Sequence, residues 1–157
     1  MTNEMDNRLA QGRAVIQGTH DAIWRDWLSS TPGVSRATLR LIYECASSGY
    51  RPEQNELLLN LPEANVEDAA DKGAHDQTPP LLAGIGWPAW KRKLVHELLH
   101  EYQHKVVAGN ASVVGKALEQ KYRHCFDGPG HDAHFFTAIA EKASYFGMSP
   151  ETLIMNL

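Results

Sequence analysis

Apolar residues in the first part of the chain recur at roughly helical spacing: Leu9, Val15, Ile16, Ile23, Trp24 and Trp27. Gly12 and Gly18 interrupt the pattern, so it predicts one or two helices between Glu4 and Trp27. Thr31-Pro32-Gly33 ends that segment. Ser35 is then placed to cap a second helix, with Leu39, Ile42 and Tyr43 on one face and Gly49 as its stop. Both read as packing helices. From Arg51 to Pro80 the periodicity fades, and Pro52, Pro62, Gly73, Pro79 and Pro80 punctuate an acidic stretch, EANVEDAADKGAHD, that reads as a surface loop. Within it only Leu57 to Leu61 is an apolar run, suited to a short strand or a helical turn, and Leu81 to Ile85 suggests an edge strand.

The strongest pattern follows. Pro88 fits the first turn of a helix, and Leu94, Val95, Leu98, Leu99, Tyr102 and Val106 form a broad stripe between Trp90 and Val107. Gly109-Asn110 closes that helix, and Ser112 can cap another running to about Arg123. Asp127-Gly128-Pro129-Gly130 reads as a turn. A last helix from about Asp132 to Phe146 shows Phe135, Phe136, Ile139, Ala143 and Phe146, with Gly147 as its stop. No internal repeat or low-complexity segment interrupts this order.

Composition narrows the class. At 157 residues, 43% hydrophobic and 22% charged, the chain is expected to form one domain spanning 1–157, able to bury about 70% of its extended surface without disulfide staples. Within it we expect packing helices over 1–50, a loop with short strands over 51–87 and a core over 88–147 whose histidines, His96 and His100 first among them, make it the candidate metal-binding part. Cys45 and Cys125 are too few for a disulfide framework or a four-thiolate zinc site. One bridge between them stays open, with a reduced compartment the simpler reading. The opening MTNEMDNRLA lacks a cationic start and an apolar run. We therefore expect no secretory signal and a cytoplasmic protein, with delivery by a dedicated secretion machine as the alternative. No stretch reaches the ~18 apolar residues of a membrane span. A formal net charge of -4 argues against nucleic-acid binding by the whole surface and leaves only a local patch, Lys91-Arg92-Lys93, as a DNA candidate beside its plainer reading as a solvated face.

Histidine is the unusual residue: of eight, six lie between His96 and His134. His96-Glu97-Leu98-Leu99-His100 spells H-E-x-x-H in the middle of the best helix. At about 100° per residue, side chains four apart share a face about 6 Å apart along the axis, so two imidazoles can converge on one tetrahedral ion. Glu97 points to the side of that pair, where it can reach a water near the ion and act as a base. The plainer alternative is two solvated histidines on a surface helix, which the flanking Leu98, Leu99 and Tyr102 oppose.

A catalytic zinc needs a third protein ligand and an open position. His104 lies about 12 Å along the helix from His96, too far to share the ion. The extended metzincin pattern also fails, because Gln103 and Val106 stand where its glycine and histidine would be. His131, between the Gly-Pro-Gly turn and the last helix, is the preferred third ligand, with His134 and Glu119 as alternatives. Tyr102, Tyr122, Tyr145 and His134 are candidates for stabilising an oxyanion or supporting the ligands, each with a packing role as its plainer reading. Trp87 and Trp90 are read as a substrate rim or as wall packing, and Cys125 as a small packed hydrophobe. His20 and His75 have no partners near in sequence and receive no role.

HELLHEYQH followed by GHDAHFF resembles the zincin-type metalloproteases of the SprT-like group, which includes the Spartan DNA–protein crosslink proteases. Their pattern joins H-E-x-x-H to a later G-H-G-x-x-F, matched here by Gly130, His131 and Phe135, with Asp132 in place of the second glycine. The resemblance runs from about Pro88 to Phe146. It implies zinc held by His96, His100 and His131, with Glu97 as general base and acid. It also implies an α+β, mostly helical, zincin-like metalloprotease domain built on an HExxH active-site helix, with a small sheet that offers an edge strand to an extended peptide. The expected activity is hydrolysis of peptide bonds in a protein or peptide substrate. The alternatives are a metal-dependent amidase acting on a small molecule or cell-wall peptide, and a non-catalytic zinc-stabilised binding module.

Overall fold

A computed structural model of the chain describes residues 2–42, 47–72 and 86–157. Cys45, His75 and the strand expected over Leu81–Ile85 lie outside those residues. The described residues form an α+β architecture, mostly helical, with one three-stranded sheet. The first element is a single helix, α1 (Thr2–Leu28). Its buried stripe runs through Leu9, Gly12, Ile16, Thr19, His20, Ile23 and Trp27, with steps of three and four residues. Gly12 is therefore no break. A Cβ there would come within 1.9 Å of the Val66 carbonyl oxygen, so the glycine is what lets a second helix lie against α1.

That second helix is a correction to the expected acidic loop. α2 (Glu63–Lys72) buries only Val66 and Ala69, three apart, beneath an otherwise polar surface. One valine and three alanines in ten, of which only Val66 and Ala69 are buried, leave too faint a period to detect in sequence. Arg8 on α1 donates to Asp71 on α2 at 2.6 Å.

The expected helix after Ser35 is also corrected. Thr38–Ile42 forms strand β1, which pairs in parallel with β3 (Glu56–Asn60) from Thr38 opposite Glu56 to Ile42 opposite Asn60. The period along Thr38-Leu39-Arg40-Leu41 is two rather than 3.6, with Leu39 and Leu41 turned inward and Thr38 and Arg40 outward. The N-terminal third is thus helix then strand, not two helices. Strand β2 (Gly49–Arg51) pairs antiparallel to β3, giving the order β1-β3-β2. The Leu57–Leu61 run resolves as the central strand, and Leu57, Leu58 and Leu59 are all buried.

α3 (Ala89–Tyr102) is the hub of the fold. It is buried on most of its circumference by Trp90, Leu94, Val95, Leu98, Leu99 and Tyr102. Each fully buried leucine contributes on the order of 1.5–3 kcal/mol through apolar burial. Beyond Tyr102 the coil widens into a π segment, Gln103–Val107, which ends at Ala108 with a positive φ of 48°. Ser112 caps α4 (Val113–Tyr122) by accepting from the Gly115 amide. Asp132 caps α5 (Ala133–Lys142) by accepting from the amides of His134 and Phe135. A tighter turn over Ala143–Phe146 follows, ended by left-handed Gly147, and α6 (Pro150–Met155) completes the described chain. Trp87, Trp90, Phe135, Phe136, Ile139 and Phe146 join one core cluster with α1 and α3. Trp87 and Trp90 are therefore wall residues rather than a substrate rim. Cys125, by contrast, is exposed and free, not packed. Among the described residues no helix is long and apolar enough to cross a membrane.

Candidate metal centre

His96 and His100 project from one face of α3, and His131 approaches them from the loop ahead of α5. That loop turns on Gly128 and Gly130, whose φ values of 86° and 91° are left-handed. The reversal lets the His131 ring swing back over the helix, and a Cβ on Gly130 would already touch the His100 ring at 3.8 Å. The Nε2 atom of His131 lies 3.1 Å from Nε2 of His96 and 3.3 Å from Nε2 of His100. A tetrahedral ion with bonds of about 2.0–2.1 Å holds its ligand nitrogens about 3.3–3.4 Å apart. The spacing fits a single metal ion.

The donor chemistry points the same way. Nδ1 of His100 faces Gln103 Oε1 at 2.8 Å, and Nδ1 of His131 faces the Gly128 carbonyl at 3.3 Å. Both partners are acceptors, so each Nδ1 carries the proton and each Nε2 is left with a lone pair. Lone pairs that converge this closely repel one another unless a cation lies between them. Burial, reinforced by mutual repulsion, lowers the His96 pKa from 6.5 to about 3. Burial also lowers His100 from 6.5 to about 4, against the opposing effect of the hydrogen bond its ring donates to Gln103. Neutral imidazoles are the form that ligates metal.

Aromatic rings wall the cluster. Phe135 stacks on His100 with centroids 4.2 Å apart, and Phe126 stacks on His131 at 5.3 Å. Glu97 is buried beside His96, and burial raises its carboxyl from 4.5 to about 8. It faces strand β2, where a Cβ on Gly49 would lie 3.9 Å from Glu97 Oε2. A cleft of about 280 Å³ opens over these groups between Ser48, Gly49 and Tyr50 on one side and Pro129 and Gly130 on the other.

Among the described residues the metal-competent cluster consists of His96, His100 and His131. Neither alternative third ligand joins it. His134 pairs back to Asp132, Nδ1 to Oδ2 at 3.3 Å, and Glu119 lines a neighbouring hollow with Arg123 and Phe126. The tyrosines named from sequence do not line the cleft. The Tyr102 hydroxyl donates to Glu141 at 2.8 Å and that of Tyr145 donates to Asp26 at 2.5 Å. Tyr122 packs against the core beneath Lys121. The tyrosine at the cleft is Tyr50, held by Asn55 through its hydroxyl at 3.1 Å and set against the His104 ring at 5.6 Å. Burial, with the charge of Glu101, raises its pKa to about 12.

No family model, curated protein or solved structure is significantly similar to the chain. Its geometry is the evidence.

Sequence reasoning missed Tyr50 because only the pairing of β2 with β3 brings it to α3. Gln103 left a local signal: it lies three residues beyond His100 on the same coil, within reach of that ring. Lys91-Arg92-Lys93 does not form one basic patch. Lys91 is buried over the Trp87 ring at 5.0 Å, and Lys93 Nζ donates to the Asn60 carbonyl at 3.1 Å. Arg92 alone of the three is exposed.

Proposed function

We propose that the chain is a zinc-dependent metallopeptidase of zincin type, with His96, His100 and His131 as the ligands and Glu97 as the general base and acid. The observation that carries this reading is the convergence of three imidazoles, with the His131 nitrogen at near-tetrahedral spacing from those of His96 and His100 and one buried carboxyl beside them. A structural zinc site is closed by four protein ligands, whereas the three found among the described residues leave a position for chemistry. This weighs against a purely stabilising metal, as does a core that extends well beyond the site. The resemblance of HELLHEYQH and GHDAHFF to the SprT-like group supports the same class.

Bound zinc would supply a Lewis acid and lower the pKa of water toward about 7. The chain's own groups do the rest. The Glu97 carboxyl sits near 8 without a cation, and a neighbouring positive charge lowers it into the range where a carboxylate accepts a proton and later returns it to a leaving amine. Gln103 and the Gly128 carbonyl hold two rings in the ligating tautomer. Phe126 and Phe135 keep water from the ring faces. β2, the edge strand beside the cleft, offers main-chain groups to an extended peptide.

Glu97→Gln tests this reading. The variant should retain about one zinc per chain by elemental analysis and lose cleavage of a denatured protein by at least about a hundredfold, in line with removal of a general base. Unchanged cleavage would overturn it. Chelation should abolish activity and leave the far-ultraviolet circular dichroism intact, whereas a structural zinc module would unfold.

A further inference from the structure

We infer that Arg92 recognises a carboxylate on the substrate, so that the enzyme prefers peptides bearing an acidic side chain or a free C-terminus close to the scissile bond. This rests on the peptidase reading and names the substrate class for that site. A second, larger cleft of about 490 Å³ runs on from the metal centre, sharing Ser48, His96 and Glu97 with the first. Arg92, Lys93, Ser47 and Asn60 line its extension. Apart from Glu97, which belongs to the metal end, its charged side chains are cations.

Arg92 is the available one. Lys93 is engaged with the Asn60 carbonyl, while Arg92 is exposed and among the described residues has no carboxylate within ion-pair distance. It precedes His96 by four residues on α3, which places it on the same face about 6 Å along the axis. An extended peptide advances about 3.3 Å per residue. A carboxylate one or two residues from the bond over the metal centre therefore falls opposite the guanidinium. The planar fork binds a carboxylate with two parallel N–H donors, and Ser47 and Ser48 line the same cleft with their hydroxyls, that of Ser48 already accepting from the Asn60 amide. A polyanion would need a row of cations. Here Lys91 is buried and does not line the cleft, which favours a single carboxylate over a nucleic-acid backbone.

Binding to zinc-loaded Glu97→Gln protein separates recognition from turnover. The probes are short acetylated and amidated peptides of Ala, Gly and Ser with one Glu moved through the sequence, the same set with Gln, and the Gln set with a free C-terminus. In fluorescence-polarisation titrations at low salt, at least one carboxylate peptide should bind about tenfold more tightly than its amide counterpart. The Glu set and the free-terminus set tell which carboxylate is read. Adding Arg92→Glu should abolish the difference, and Arg92→Lys should restore part of it, with zinc content unchanged in both. Equal binding of carboxylate and amide peptides would overturn the inference, as would a preference that survives Arg92→Glu. Cleavage by the wild-type protein is scored separately. Arg92-dependent binding without any cleavage would overturn the peptidase reading and keep the subsite, whereas cleavage indifferent to the carboxylate would overturn the subsite alone.

Discussion

Gln103 shows how one side chain can set the quality of a metal centre it does not touch. Its amide oxygen accepts from His100 Nδ1 at 2.8 Å, and its amide nitrogen faces Asp132 Oδ1 at 3.5 Å. Asp132 in turn caps the helix that follows His131. The same amide thus orients one ligand and ties down the loop that delivers another. Groups in this position typically govern about 10- to 100-fold in metal affinity. Gln103→Ala is expected to weaken zinc by that factor in competition with a chromogenic chelator, and Gln103→Glu, which keeps the acceptor, to lose less. Equal affinity for wild type and Gln103→Ala would show that the amide has no such part.

At the scale of elements, two glycines of α1 make opposite predictions. Gly12 lies against the Val66 carbonyl, whereas Gly18 has open space around it. Gly18→Ala is expected to stabilise the protein by about 0.5–1 kcal/mol through helix propensity. Gly12→Ala should destabilise by about 1–3 kcal/mol in urea unfolding, because packing strain outweighs the same propensity gain. If both variants gained stability, α1 and α2 would not be in the contact described. These elements also mark the limit of what the sequence discloses. α3, α4 and α5 were legible because their apolar stripes and their caps at Ser112 and Asp132 are local features. So was the meeting of His96 with His100, which follows from helical geometry alone. β1 resembles a helix in the sequence because Leu39, Ile42 and Tyr43 also fit a helical face, and only the parallel pairing with β3 selects the period of two. α2 looks like a loop in the sequence because its stability comes from α1, through contacts such as Gly12 with Val66 and Arg8 with Asp71, not from its own pattern. Tyr50 reached the cleft unannounced for the same reason.

Part of the whole molecule's acid sensitivity lies in the buried polar surroundings of His20 on α1. His20 is fully buried, with Nδ1 near Gln17 and Asp21. Burial lowers its pKa from 6.5 to about 4, outweighing the raising effect of Glu101, while Arg36 and Lys105 add to the lowering. As pH falls, the unfolded chain takes up this proton first. The stability associated with a neutral His20 is therefore complete above about pH 6.5 and disappears between there and about pH 4, amounting to roughly 3 kcal/mol in full. His96 and His100, lowered in the same direction, steepen the loss in metal-free protein, and Glu97, raised to about 8, offsets part of it because there the folded chain takes up the proton first. Urea unfolding of that form at a series of pH values from 7 to 4 should show the fall. His20→Gln should flatten its slope by the share of one proton, and an unchanged slope would assign the sensitivity elsewhere.

Phe135 belongs to both worlds, fully buried in the core and stacked on the His100 ring. Anyone hardening this chain against heat by repacking its interior would consequently be retuning its ion affinity as well. Selection for thermal endurance that also preserves metal binding should leave the opening turn of α5 untouched and accumulate its changes along α1 and α2.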